Sequence, residues 1–446
     1  MKPTKIWLTY YPAQQKWLCS LPSPSLKGLK KGRSIYAAIG ADNHKVKLPI
    51  QSLTQNNRST HLRFSVLLSK HASAFKAGPF IGILAADGRG GKPFKGNAQN
   101  FIDLQRTARR LGGMVYVFTP SGTHLAEGKT RGYFYDETQK RWLSTNMPLP
   151  DVVYNRVSTR QDEKKPQMQR LMKELQKRNH VTFFNPGFFN KLQLYALLSK
   201  TEHQSLVPET QALTEFQHLA SFLEKHPAVY LKPVDGKAGA GMVRIDRKTS
   251  GRGVAYCLRH YRGSDTKTLK TGRLQSFWPL IKNDIQTNPY IIQAAFPLAD
   301  YQGRPFDLRV LVQKNGAGEW QITGIGTRVA GKESFTTHVP RGGSIARTGE
   351  VLTAVFGDEQ AQQLIQKVSQ KAVSIAGTLE QHLGHMGEMS MDIGISPTGE
   401  LAFFEANSKP MKFDEPDIRR LSLERLIQYA QYATFNMRVP KAVTAF

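Results

Sequence analysis

Apolar positions recur along this chain with two different periods, and the changes between them divide it. Residues 1 to about 75 carry short β-prone runs, IWLTYY, SIYAAIG, KVKLPI and LRFSVLL, separated by turn-rich polar pieces such as TQNNRST. They predict a small β-rich domain over 1–75. From Gly78 the pattern changes to a buried strand, PFIGILAADG, an amphipathic helix, NFIDLQRTARRLGG, ended by glycines, and a second strand, MVYVFTP. Strand, helix and strand at this spacing predict a βαβ unit on a parallel sheet. PDVVYNRV, the mixed-charge helix QDEKKPQMQRLMKELQKRNH and VTFFNPGFF continue the alternation, giving an α/β domain over 76–190.

Beyond Lys191 the order is a helix, KLQLYALLSKTEH, then VPET, a second helix, EFQHLASFLEKH, and the strand AVYLKPV. Lys232 ends that strand, and DGKAGAGMVRID follows it. Glycines at 236, 239 and 241 let backbone amides approach phosphate oxygens, although a plain hairpin turn would use the same glycines. The spacing matches neither a Walker loop nor a dinucleotide fingerprint. Residues 252–282, with Arg252, Arg259, Arg262, Lys267, Lys270 and Arg273, read as a basic, aromatic and mobile segment. FDLRVLVQ and EWQITGIGTRV form two strands with Asp307, Arg309 and Arg328 near their ends. Such an arginine fork suits phosphate or carboxylate, and the alternative is an ion pair with Asp307. A loop containing His338 and Arg341 and a long helix, DEQAQQLIQKVSQKAVSIAGTLEQHL, lead to the last hairpin.

That hairpin, GEMSMDIGISPTGELAFFEANSKP, turns at Ser396-Pro397-Thr398-Gly399. A four-residue turn makes Ile395 face Glu400 and Asp392 face Phe403, which puts Asp392, Glu405 and Asn407 on one face. Two carboxylates and an amide oxygen at ladder spacing are hard ligands for one or two Mg²⁺ ions. An edge hairpin with solvated acids uses the same residues.

Composition then narrows the partners. The chain has 446 residues, with 62 Lys+Arg against 34 Asp+Glu, a net charge of +28. Such an excess attracts polyanions. Two cysteines exclude a disulfide framework. No apolar run is long enough to span a membrane and no clean signal region opens the chain, which predicts a cytoplasmic protein with no membrane partner. No nucleic-acid-binding module is visible, and nucleic acid is disfavoured as a partner.

Taken together, PGFFNKLQLYALL with VPET, YLKPVDGKAGAGMVRI, YIIQAAF, FDLRVLVQ, ITGIGTRV, MDIGI and FFEANSKP resemble the ATP-grasp superfamily, and within it the spore-coat-associated YheC/YheD-like branch. The resemblance implies two α+β subdomains gripping a nucleotide over 191–446, preceded by an α/β pre-ATP-grasp domain and the β-rich N-terminal domain. It further implies that Lys191, Lys232 and the loop carrying Gly236, Gly239 and Gly241 contact the phosphates of ATP, and that Gln293, Ala294 and Ala295 form the adenine hinge. Asp392, Glu405 and Asn407 become the Mg²⁺ ligands, and Arg309 and Arg328 face the transferred phosphoryl group. The implied activity is an ADP-forming carboxylate–amine ligase that passes through an acyl phosphate. The resemblance also implies a carboxylate substrate, an amine acceptor and an association with the spore coat, and the charge excess adds that the substrate is anionic and that a polyanionic polymer is a partner. A coat-associated protein that binds ATP without turnover is the competing class. Ala294 stands where many relatives carry glutamate, and His338 where asparagine is common.

Overall fold

The computed structural model describes residues 3–21, 32–41, 44–52, 62–71, 74–236, 239–251, 253–262, 265–332, 334–337 and 342–436. Six strands at the N-terminus, Thr4–Tyr11, Lys16–Leu21, Ser34–Ile39, His44–Ser52, Leu62–His71 and Ala74–Gly78, close into a barrel. Ile6, Leu8, Leu48, Val66 and Leu68 fill it, while Lys5 and Lys47 point out. Closure leaves no sheet edge open for aggregation. Lys16–Leu21 and Ala74–Gly78 complete the ring, and neither belongs to the four runs read from the sequence.

The next sheet runs in the order Arg141–Pro148, Lys129–Asp136, Met114–Phe118, Phe80–Leu84, Val152–Asn155, Thr182–Phe184. Its last four strands are parallel. The antiparallel hairpin 129–148 was not foreseen, although its alternating Thr130, Phe134 and Met147 are buried. Helix Ala98–Leu111 crosses from strand Phe80–Leu84 to strand Met114–Phe118. Asn97 caps it by accepting from the Asn100 amide at 3.1 Å, and Gly112 stops it at φ +95°.

Two further sheets form the rest. The first has the order Thr210–Leu213, Tyr290–Ala294, Ala228–Pro233, Val243–Ser250, Gly253–Arg262, Asp265–Thr271. Helices Phe216–Lys225 and Trp278–Thr287 cover one face, packing Leu219, Phe222 and Ile281 over strand residues such as Leu258. The segment from Gly253 is therefore a regular hairpin followed by a helix, and the expected mobile stretch is corrected. Val254, Tyr256 and Leu258 alternate with Ala255, Cys257 and Arg259, which is a strand pattern. Arg252 lies outside the described residues.

The second sheet has the order Ser344–Arg347, Trp320–Val329, Arg304–Lys314, Glu388–Ile395, Leu401–Asn407, all antiparallel. Helix Asp358–Leu383 buries Leu364, Val368, Ile375 and Leu379 against it. The final helix, Pro416–Phe435, turns back to the middle sheet. Its Leu426, Ile427, Tyr429 and Ala430 join Ile81, Ile83, Val115 and Val117 in one core.

Candidate nucleotide and metal site

The site begins at the acidic hairpin. Gly399 donates to the Ser396 carbonyl at 3.0 Å and Ser396 donates to the Glu400 carbonyl at 2.9 Å, with Gly399 at φ +82°. This makes a three-residue loop ending in a left-handed glycine, so Ile395 pairs with Leu401 and not with Glu400. A second shift falls between Asp392 and Ile393. Ile393 faces Phe403, Asp392 faces Glu405, and Phe404 is left unpaired as a β-bulge. The expected pairing of Asp392 with Phe403 is thereby corrected. The bulge sends the Phe404 ring across Gly394, where a Cβ would lie 2.4 Å from Phe404 Cζ. Asp392, Glu405 and Asn407 still share a face, because the two one-residue offsets add to an even number.

Asp392 is 2% exposed. Its Oδ2 lies 2.9 Å from an Arg328 nitrogen, and its Oδ1 accepts no hydrogen bond among the described residues, with Arg309 Nε 4.0 Å away. Burial pushes its pKa up, and the two arginines oppose that shift. Arg328 is also held by both oxygens of Asp307, at 2.9 and 2.6 Å, and Thr337 donates to the same carboxylate. The ion-pair alternative for Arg328 is thus realised. Arg309 is less engaged: one nitrogen lies 3.5 Å from Ser390 Oγ, and its buried Nε makes no hydrogen bond among the described residues.

Glu405 faces Lys191 Nζ at 3.3 Å and accepts from Asn407 Nδ2 at 3.2 Å. Lys191 opens helix Lys191–Leu198, whose cap is Asn190. On the opposite wall Lys232 ends its strand almost buried and donates to Gln293 Oε1 at 2.5 Å. Burial, then repulsion from Lys191, lowers Lys232 to about 8. Gln293 in turn donates to Thr210. Within the expected adenine hinge, the amides of Ala294 and Ala295 donate to the Glu209 and Ala228 carbonyls at 2.9 Å and are engaged within the protein.

Both lysines, Gly236, Gly239, Gln293, Ala294, Arg328, Asp392 and Glu405 line one cleft, whereas Gly241, Ala295, Arg309 and Asn407 are not part of its lining. Tyr230, Phe296, Leu298, Phe335 and Phe404 give it apolar walls. Charged groups set among aromatic and apolar walls suit a nucleotide. In the glycine loop, Gly239 and Gly241 take φ +72° and +70°, and Tyr290 donates to the Gly241 carbonyl at 2.9 Å. Lys237, Ala238, His338 and Arg341 lie outside the described residues.

Three contacts escaped the sequence reading. Phe335 packs with Tyr230 and Met242, accepts from the Tyr230 hydroxyl at 3.1 Å and lies under Arg259, so its loop fastens one sheet to the other. Arg160 lies 3.4 Å from Asp235 at the start of the glycine loop. Lys409, two residues past Asn407, donates to Asn155, Val157 and Glu163 and lies 4.3 Å from the Phe188 ring centroid. It ties the acidic hairpin to the middle sheet.

The donor set fits a magnesium ion. Two carboxylates stand on adjacent strands with an amide beyond, and one buried carboxylate oxygen has no hydrogen bond. Among the described residues no group of three or more His, Cys, Asp or Glu gathers. Magnesium takes one or two carboxylates from protein and completes its shell with water and phosphate.

Two sheets meeting over one cleft, one bringing a buried lysine and a glycine loop and the other an acidic hairpin, define an ATP-grasp fold. The YheC/D like ATP-grasp family matches residues 180–433, and the chain belongs to that family. It is 29% identical over 397 residues to the endospore coat-associated protein YheD of Bacillus subtilis, covering 86% of this chain and 83% of YheD. With YheC of the same organism, also described as endospore coat-associated, it shares 25% identity over 309 residues, 69% of this chain and 84% of YheC. Superposition on D-alanyl-alanine synthetase A from Vibrio cholerae gives a TM-score of 0.47 at 12% identity, covering 80% of this chain and 100% of that one. Among the described residues no helix is long and apolar enough to cross a membrane.

Proposed function

We propose that the protein is an ATP- and Mg²⁺-dependent ligase that joins a carboxylate to an amine through an acyl phosphate, acting on an anionic substrate and associated with the spore coat. The observation that carries this reading is the buried Asp392 oxygen without a hydrogen bond, set directly across from Glu405 and between Lys191 and the arginines. In the reaction, the substrate carboxylate takes the γ-phosphoryl group and ADP leaves. The amine then attacks the acyl carbon, phosphate departs and the amine gives up a proton. Asp392, Glu405 and Asn407 would hold a magnesium ion, whose charge would neutralise the phosphoryl oxygens. Lys191 and Lys232 bind phosphate oxygens, the glycine loop covers them, and Arg309 stabilises the transferred phosphoryl group as negative charge redistributes over its oxygens. Gln293 positions Lys232. Domains over 1–75, 76–190 and 191–446 complete the reading.

The locked pair of Arg328 with Asp307 and Asp392 favours a second reading, in which the fold binds ATP or polyanions in the coat without turnover. A screen for ADP release with pooled carboxylates and amines, followed by mass measurement of products, separates them. ADP release that requires both an acid and an amine supports the ligase. Nucleotide binding with no ADP release in any pool supports the second reading.

A further inference from the structure

The sheet that carries Lys232 continues past the nucleotide cleft, and the part beyond is open. Tyr230 and Gln293 face each other across the ladder and line the cleft, and the register carries that same face outward through Arg244, Asp246 and Lys248, then Ala255, Cys257 and Arg259, then Thr268 and Lys270. The opposite face holds Val243, Ile245 and Leu258, buried under helices. On the outer face Lys248, Ala255, Thr266, Thr268 and Lys270 are exposed. Asp246 pairs with Arg244 and Arg259 at 2.8 and 2.9 Å, which leaves the surface with four cations against one anion.

We propose that this face is a docking track for an extended anionic chain, an acidic peptide or other poly-carboxylate, that leads to the phosphoryl-transfer cleft. Three observations support it. Ala255, Cys257 and Thr268 on this face have small side chains, which leaves room for an extended chain. The face is continuous with the cleft, because Arg259 lies 5.4 Å from the ring of Phe335, a cleft-lining residue. Among the described residues its four cations against one anion complement a run of carboxylates.

The inference rests on the reading of an anionic substrate, but its test reads binding without nucleotide, so an inactive ligase would not alter the result. The probe is fluorescein-labelled poly-L-glutamate on the full chain at low salt. Lys248→Glu with Lys270→Glu should weaken binding about tenfold, with the affinity for MgADP unchanged. The same charge change at exposed Lys164 and Arg170, on another part of the molecule, should have little effect. Cys257 lies on the track whereas Cys19 is buried, so poly-L-glutamate should slow maleimide labelling of Cys257. Equal weakening by both pairs of reversals, unprotected Cys257, or tighter binding of single-stranded DNA at this face would each overturn the proposal.

Discussion

Asp392 stands directly across the ladder from Glu405, and the two carboxylates are neutralised by different partners, Asp392 by Arg328 and Glu405 by Lys191. One acid is therefore part of a buried ion-pair network, while the other meets a cation that a ligand phosphate would claim.

This asymmetry predicts different outcomes for two similar substitutions. Glu405→Gln should reduce nucleotide-dependent turnover by about a hundredfold or more while leaving the melting temperature nearly unchanged. Asp392→Asn should reduce turnover equally and also lower the melting temperature, because Arg328 loses one of two carboxylates in a buried setting. ADP release with Mg²⁺ as the only divalent metal, read beside thermal melts, checks both. Near-normal ADP release by either variant would remove the hairpin from the mechanism.

Lys232 gives a pH dependence with a defined sign. Burial holds it at about 8 against an ordinary 10.5. The folded, ligand-free protein thus loses this proton before the unfolded chain does. The cost of keeping Lys232 charged is full below pH 8 and fades as pH rises towards 10.5. Phosphate binding needs the ammonium, so affinity for MgADP should fall as pH rises through about 8. Lys232→Met should bind more weakly and lose that dependence. Calorimetric titrations on both sides of pH 8 decide the matter, and a parallel pH response in the variant would assign the titration elsewhere.

The loop 235–242 should gain hydrogen-exchange protection when Mg²⁺-ATP binds. Its glycines make movement inexpensive, and phosphate contacts supply the difference in binding that closes it. Equal protection with and without nucleotide would argue against a phosphate cover. Gly241→Ala should weaken the cover independently, since φ is +70° and the new Cβ would sit 2.8 Å from the Tyr290 hydroxyl.

Phe335→Ala should raise the dissociation rate of a fluorescent ATP analogue about tenfold, with Phe335→Leu intermediate. The ring joins the two sheets through Tyr230, Met242 and Arg259, so its loss lets the cleft open without touching a phosphate or metal ligand. Stopped-flow displacement measures the rate. Unchanged dissociation would show that the loop lines the cleft without fastening it.

The sequence disclosed those parts of the fold whose periodicity is strong. Strands at 80–84, 114–118, 304–314 and 320–329 and the helices at 98–111 and 358–383 follow from spacing alone. Residue partners proved harder. The turn at Gly399 and the bulge at Phe404 each moved the register by one, and the bulge depends on how an aromatic ring packs over Gly394, a contact between neighbouring strands. The lysines and acids were visible because glycine loops and acid-bearing hairpins are local patterns. Phe335, Arg160 and Lys409 were not, because each acts on a partner far along the chain.

The last helix carries a consequence for how the molecule is made. The parallel sheet at 80–184 emerges early in synthesis, yet part of its core is supplied by Leu426, Ile427, Tyr429 and Ala430. Domains generally fold in order as the ribosome releases them. Here the sheet waits, with Ile81, Ile83, Val115 and Val117 short of their cover, until both halves of the nucleotide site have been released. The helix that completes that sheet follows the acidic hairpin directly, so a chain stalled before Pro416 would carry the metal ligands and still present an uncovered apolar surface to chaperones and proteases.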